Sequence, residues 1–255
     1  GGERRVSPPR APLWAVCLAL GFLSAVPRAD LALADGVALA AAVPATGEIS
    51  GRVVIVGSPP VLEPRAVTID QQACGEGPVP DPSLVVSQSG GLASAVVTIV
   101  AGPTLAPSPP NHVRVTQKGC VFSPHVALVA RGGVVEWDNP DPALHNVHAR
   151  RGGRSLFNVA TPSGRSFSRE FEIEGPVHTA CDVHGWMEGW VFATDRPAAV
   201  TDADGRFRFA GLSPGDYALQ IWHERLGTRD ARVAVPKDGH GLVDLRIPAE
   251  DPRAR

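Results

Sequence analysis

Cys181-Asp182-Val183-His184-Gly185-Trp186-Met187 places a thiol, an imidazole and a thioether within seven residues, and Met187 is the single methionine of a 255-residue chain. Soft sulfur donors combined with imidazole select copper over harder ions, and a Cys and His set with a weak axial Met is the donor chemistry of blue-copper electron-transfer centres. Zinc is the rival, but it prefers more Cys or His, or a carboxylate, to a thioether. Such a set needs a second imidazole. His145, in Leu144-His145-Asn146-Val147-His148, is the leading candidate.

The sequence on either side of this loop reads as strands. From Gly47 onward no long run has helical periodicity, while 27 Gly and 25 Pro punctuate short apolar stretches in the manner of an all-β protein. Expected strands are 48–56, 95–100, 113–117, 126–130, 133–137, 168–173 and 190–194. Arg206-Phe207-Arg208-Phe209 and Tyr217-Ala218-Leu219-Gln220-Ile221 both alternate with period two around the turn Pro214-Gly215, which reads as a hairpin. Two Pro-containing connections, 106–110 and 195–197, bracket about ninety residues that carry every candidate donor. A β-sandwich there can hold a metal at one end, with one His from a strand end and the other donors from the loop between its last two strands. His145 follows the strand and turn 134–140, whereas Cys181, His184 and Met187 lie between strands ending near Thr179 and beginning near Trp190.

The formal net charge of -2 is too small to imply nucleic acid or an anionic membrane surface as a partner. Arg4, Arg5 and Arg10 precede an apolar run from Ala11 to Val26, and Ala32-Leu33-Ala34 offers small residues for cleavage, so residues 1–34 read as an export signal. The apolar run is short for a bilayer, and no membrane span is expected in the mature form. Export places the protein in the periplasm or otherwise outside the cytoplasm and removes Cys17. Three cysteines then remain, and an oxidising compartment favours pairing two of them. Cys74 and Cys120 are the natural pair if Cys181 serves a metal; the rival assignment puts Cys181 in a disulfide and removes the thiolate.

Phe122-Ser123-Pro124, Val134-Val135-Glu136-Trp137-Asp138-Asn139, His145-Asn146-Val147-His148, Phe171-Glu172-Ile173-Glu174-Gly175 and the Cys181–Met187 loop, in this order, resemble the cupredoxins. The two-residue gaps from Cys to His and from His to Met look most like the amicyanin and plastocyanin type of domain. Over residues 105–194 the resemblance implies a Greek-key sandwich and one type 1 copper. It further implies His145, Cys181, His184 and Met187 as ligands, and single-electron exchange with redox partner proteins. One departure is His178-Thr179-Ala180, where relatives often carry an aromatic residue before the Cys. The stretch 201–217 resembles the carboxypeptidase regulatory-like domain, a small transthyretin-like sandwich without peptidase activity. Residues 47–104 and 195–248 are therefore expected to form one such sandwich, interrupted by the copper domain.

Around the site, Asn146 is placed to hydrogen-bond across to the Cys181 loop and fix its geometry. Trp186 either forms an apolar collar where a redox partner docks or packs the loop. Arg150, Arg151 and Arg154, in a Gly-containing loop, either steer an acidic partner or are simply solvated. His148, three residues from His145, falls on the opposite strand face, and His125, His178 and His223 read as packing histidines. Asp202-Ala203-Asp204-Gly205 reads as a β-turn, since a calcium loop would need later ligands that are missing. The functional expectation is an exported electron carrier without a substrate of its own, and so no enzyme. Its rivals are a redox accessory subunit of a larger copper enzyme and a non-redox module for copper delivery or surface binding.

Overall fold

The structure, a computed structural model, describes residues 47–103, 105–237 and 239–249. The expected export signal and Cys17 lie outside the described residues. The described chain is all-β apart from one short helix, α1 (Gln71–Cys74). Its strands are β1 (Gly47–Val56), β2 (Val96–Ala101), β3 (His112–Thr116), β4 (Val126–Val129), β5 (Gly133–Asn139), β6 (His145–Arg151), β7 (Arg154–Thr161) and β8 (Arg165–Phe171). They continue as β9 (Gly175–Ala180), β10 (Glu188–Ala193), β11 (Ala198–Val200), β12 (Arg206–Leu212), β13 (Gly215–His223), β14 (Gly227–Val235) and β15 (His240–Pro248). No helix among the described residues is long and apolar enough to cross a membrane.

These strands form two sandwiches. In one, the sheet β3-β5-β8 faces the sheet β4-β10-β9-β6-β7. Alternation puts Val135 and Trp137 of β5 inward against Val147 and Ala149 of β6, Val177 of β9 and Val191 of β10. Trp137 is fully buried and centres an aromatic cluster, with ring centroids 5.5 Å from Phe167, 6.0 Å from Phe171 and 6.1 Å from Phe157. Burying an aromatic side chain of this size removes enough apolar area to contribute roughly 4–6 kcal/mol before entropy is counted. In the other sandwich, β12-β1-β15 faces β11-β2-β13-β14 around Ile49, Val97, Ile99, Phe207, Phe209, Leu219 and Ile221. A small third core, Val96, Val126 and Phe192 with Trp190 and Trp222 against it, joins the two sandwiches.

Three local expectations are corrected. Segments 206–209 and 217–221 do not pair as a hairpin: β12 pairs with β1, whereas β13 pairs with β2 and β14. The chain crosses from one sheet to the facing one at Ser213-Pro214, so both segments bury alternate residues in the same core. Period-two alternation reports which face is buried and is blind to which strand is the neighbour. Secondly, Arg150, Arg151 and Arg154 lie on a β6–β7 hairpin, with Arg151 opposite Arg154 and the turn at Gly152-Gly153, where positive φ favours glycine. Thirdly, the segment after β1 does not stay with its own sandwich. Val67 and Cys74 pack into the Trp137 core.

The Asp202–Gly205 turn is closed by Gly205 N–H donating to Asp202 O (2.9 Å), while Asp202 Oδ1 accepts from Asp204 N and Arg206 N (2.9 and 2.8 Å). That carboxylate serves its own turn. Gly205 has φ 77° and packs so closely against the Val53 carbonyl that a Cβ would collide.

Candidate metal centre

His145 opens β6 directly after a turn organised by Asn139. Its Nδ2 donates to Ala143 O (2.8 Å) and Thr161 O (2.7 Å), and its Oδ1 accepts from Asp141 N (3.0 Å). The other candidate donors occupy the β9–β10 loop, which closes on itself through Cys181 N to Met187 O (3.1 Å) and Met187 N to His184 O (2.9 Å). Asn146, next to His145, clamps this loop from across the sheet: its Oδ1 accepts from Asp182 N at 2.7 Å and Val183 N at 3.3 Å. The same oxygen takes the Cys181 S–H when that thiol is protonated, at 3.2 Å. His184 N–H points at Cys181 Sγ (3.4 Å), a donor suited to a thiolate.

Three donor atoms converge. His145 Nδ1 lies 2.9 Å from His184 Nδ1, Cys181 Sγ lies 3.7 Å from His184 Nδ1, and all three fall within 4.8 Å of one another. Each imidazole has committed its other nitrogen to a carboxylate: His145 Nε2–H donates to Asp141 Oδ2 (3.0 Å) and His184 Nε2–H to Asp70 Oδ2 (3.0 Å). Neutral imidazole carries one N–H, so both Nδ1 atoms present lone pairs to each other. That arrangement is repulsive unless a cation lies between them. Burial, reinforced by neighbouring His184, holds the His145 pKa below its ordinary value against the pull of Asp141.

A metal ion fits. Bonds of about 2.0 Å to nitrogen and 2.3 Å to sulfur can span the observed separations of 2.9 Å between the imidazole nitrogens and 3.7 Å from sulfur to His184. Met187 ends the loop at 1% exposure and packs in the same core as Cys181 and Trp186. His145 and His184 are 0% exposed and Cys181 is 2% exposed, and among the described residues Cys181 is the free thiol. Cys74 and Cys120 form the expected disulfide.

Trp186 is buried, and its indole Nε1 donates to Cys120 O (3.1 Å) with its ring 5.1 Å from that of His184. It packs the loop; the exposed collar around His184 is absent because residues 65–79 lie over this end of the sandwich. Arg150 is tied to Asp182 (3.2 Å), while Arg151 lies six residues along β6 from His145, roughly 20 Å away. Of these three arginines only Arg150 therefore reaches the donor loop, through the neighbour of Cys181, while Arg151 and Arg154 pair at the far end of the hairpin. His148 bonds Asp182 (2.8 Å) and Ser155 (3.0 Å) on the opposite face of β6. His125 meets Glu224, and the His178 ring lies against that of Trp190, with centroids 4.9 Å apart and planes tilted by 54°.

Sequence reasoning missed Asp141 and Asp70. Asp141 could have been found four residues before His145 in the Asn139-Pro140-Asp141 turn. Asp70 had only its closeness to half-cystine Cys74 to recommend it.

Part of the chain aligns with several solved structures. Over 32% of this chain and 99% of the other, it matches a purple cupredoxin from Nitrosopumilus maritimus at 26% identity and a TM-score of 0.30. It matches amicyanin from Paracoccus versutus at 18% identity and a TM-score of 0.31, over 38% of this chain and 96% of that one. A copper-containing nitrite reductase from Thermus scotoductus matches at 20% identity and a TM-score of 0.30, over 38% of this chain and 25% of the enzyme. No family model and no curated protein matches the chain.

Proposed function

We propose that this is an exported type 1 copper protein that carries single electrons between redox partner proteins, with His145, Cys181, His184 and Met187 as ligands. The observation that carries the reading is the convergence of two imidazole lone pairs and a thiol at a buried point, with both imidazoles oriented by carboxylates. Copper bound there supplies one-electron exchange between Cu(II) and Cu(I). The chain's part is to hold the donors. Asn146 and the closed loop fix Cys181 and His184, Asp141 and Asp70 fix the imidazole faces, and burial excludes water. A scaffold held this firmly changes little when the charge changes, which favours fast exchange.

Burial also weighs against a copper-delivery role, since no donor is more than 2% exposed and release would need the loop to open. The sandwich built on β1, β2 and β11–β15 is read as an accessory, transthyretin-like module without peptidase activity, formed by 47–104 and 195–248 around the inserted 105–194, except that residues 65–79 pack on the metal-bearing sandwich. The pairing of β1 with β12 and β15 supports that division.

The test is a Cu(II) titration of the full chain beside Cys181→Ser. An intense visible thiolate-to-copper band and a reversible one-electron couple are expected in the wild type, with both lost in the variant. A colourless wild-type complex would overturn the reading.

A further inference from the structure

His184 is held from outside the sandwich that carries it. Its Nε2–H meets the carboxylate of Asp70, at the tip of a strap that closes on itself where Arg65 and Val79 exchange backbone hydrogen bonds of 2.8 and 2.9 Å. The strap is pinned over the metal end in three places. Arg65 donates to Trp186 O (3.2 Å) and pairs with Glu188 (3.0 Å), both in or beside the donor loop. Cys74 is bonded to Cys120, whose sulfur, with that of Cys74, lies within 4.8 Å of a His184 nitrogen.

Asp70 itself is in an unusual state. It occupies the position preceding α1, where an aspartate ordinarily accepts from the first turn, yet its side chain makes no capping hydrogen bond. Its backbone is left-handed, φ 50° and ψ 36°, a conformation that costs a non-glycine residue energy. Both losses accompany one gain, the carboxylate's reach to a fully buried imidazole.

We infer that Asp70 is a positioning residue of the metal centre, supplied by the strap: it fixes His184 as the Nε2–H tautomer with Nδ1 facing Cys181 and His145, and its charge strengthens Nδ1 as a donor to the higher oxidation state. The inference deepens the copper reading and rests on it. A carboxylate on the far nitrogen of a ligating histidine raises ligand basicity, and losing such a partner weakens metal binding by about 10- to 100-fold. Because the added basicity favours Cu(II) over Cu(I), a tenfold loss in that preference raises the one-electron potential by about 59 mV.

The experiment compares the copper-loaded full chain with Asp70→Asn and Asp70→Ala by voltammetry and visible spectroscopy, alongside 15N imidazole spectra of the metal-free proteins at one fixed pH. The expected result is a retained visible band with a higher potential, the rise larger in Asp70→Ala than in Asp70→Asn, where an amide oxygen still accepts. The wild type should show His184 as a single Nε2–H tautomer, and Asp70→Ala a mixture. An unchanged potential with an unchanged tautomer overturns the inference. If the wild type gave no visible band, the copper reading alone would fall, and the tautomer spectra would still decide the role of Asp70.

Discussion

Two antiparallel hairpins, one in each sandwich, end in buried histidines and do different things with them. Between β9 and β10 the chain uses seven residues, closes them with two backbone hydrogen bonds and turns Cys181 and His184 inward beside His145. Between β13 and β14 it uses only 224–226, and His223 and Leu226 are buried while Glu224 points out of its own sandwich. There Glu224 meets His125 and accepts from Trp190 Nε1 (2.9 Å), so this turn is an anchor between sandwiches. A three-residue turn has too little chain to fold several donors onto one point. The longer loop has enough, provided that something outside holds it. That support comes from Asn146, the strap and the Cys74–Cys120 disulfide.

The largest expected effect comes from removing that external support. The disulfide spans 46 residues, and closing a loop of this length in the unfolded chain is worth about 4 kcal/mol in the chain-entropy model. Cys74→Ala with Cys120→Ala should lower unfolding stability in urea by that order. It should also disturb the copper spectrum, since Trp186 Nε1 bonds Cys120 O and Asp141 accepts from Cys120 N (2.8 Å). An unchanged spectrum in the double variant would show that the donor loop stands without the strap.

The anchor hairpin should respond differently. Glu224→Ala leaves half-buried His125 and Trp190 Nε1 without their carboxylate partner, at a cost of about 2 kcal/mol. The visible spectrum should hold, because none of the candidate ligands is touched. Calorimetry should instead show the two sandwiches melting less cooperatively. A shifted copper band in Glu224→Ala would mean that the interface reaches the site.

How much of this was readable beforehand follows from the range of each signal. The donor set is written within seven residues plus His145, and alternation marked most strands, because both are local properties of the chain. The partner of a strand is not local, which is why the alternation of β12 and β13 reads as a hairpin although each pairs elsewhere. Asp70 is the extreme case. It lies 114 residues from His184, and no periodicity or spacing connects the two. Trp186 could be read either as a collar or as packing until Cys120 O was found beside its indole nitrogen.

The smallest effect tests how the strap is closed. Asp81 would be pushed up by its burial, but hydrogen bonds from Ser83 and the Arg65 guanidinium at 3.0 Å hold its pKa below the ordinary carboxylate value of 3.8. A carboxylate depressed in the folded state contributes stability that is fully present above its unfolded pKa and lost as pH falls through that value towards the folded one. Asp81→Asn should therefore cost about 1 kcal/mol at neutral pH, given partial solvent screening. Wild type and variant should draw together in stability as pH falls below the ordinary carboxylate value towards the folded-state one, and converge where the carboxyl is neutral in both states. Chemical denaturation at pH 7 and pH 3 measures the narrowing. The anchor hairpin provides the contrast, because Asp81→Asn should leave the joint between the sandwiches unchanged while loosening Arg65 from Trp186 O and Glu188. A gap that persists unchanged to pH 3 would show that Asp81 acts by packing and that its charge does not hold the strap closed.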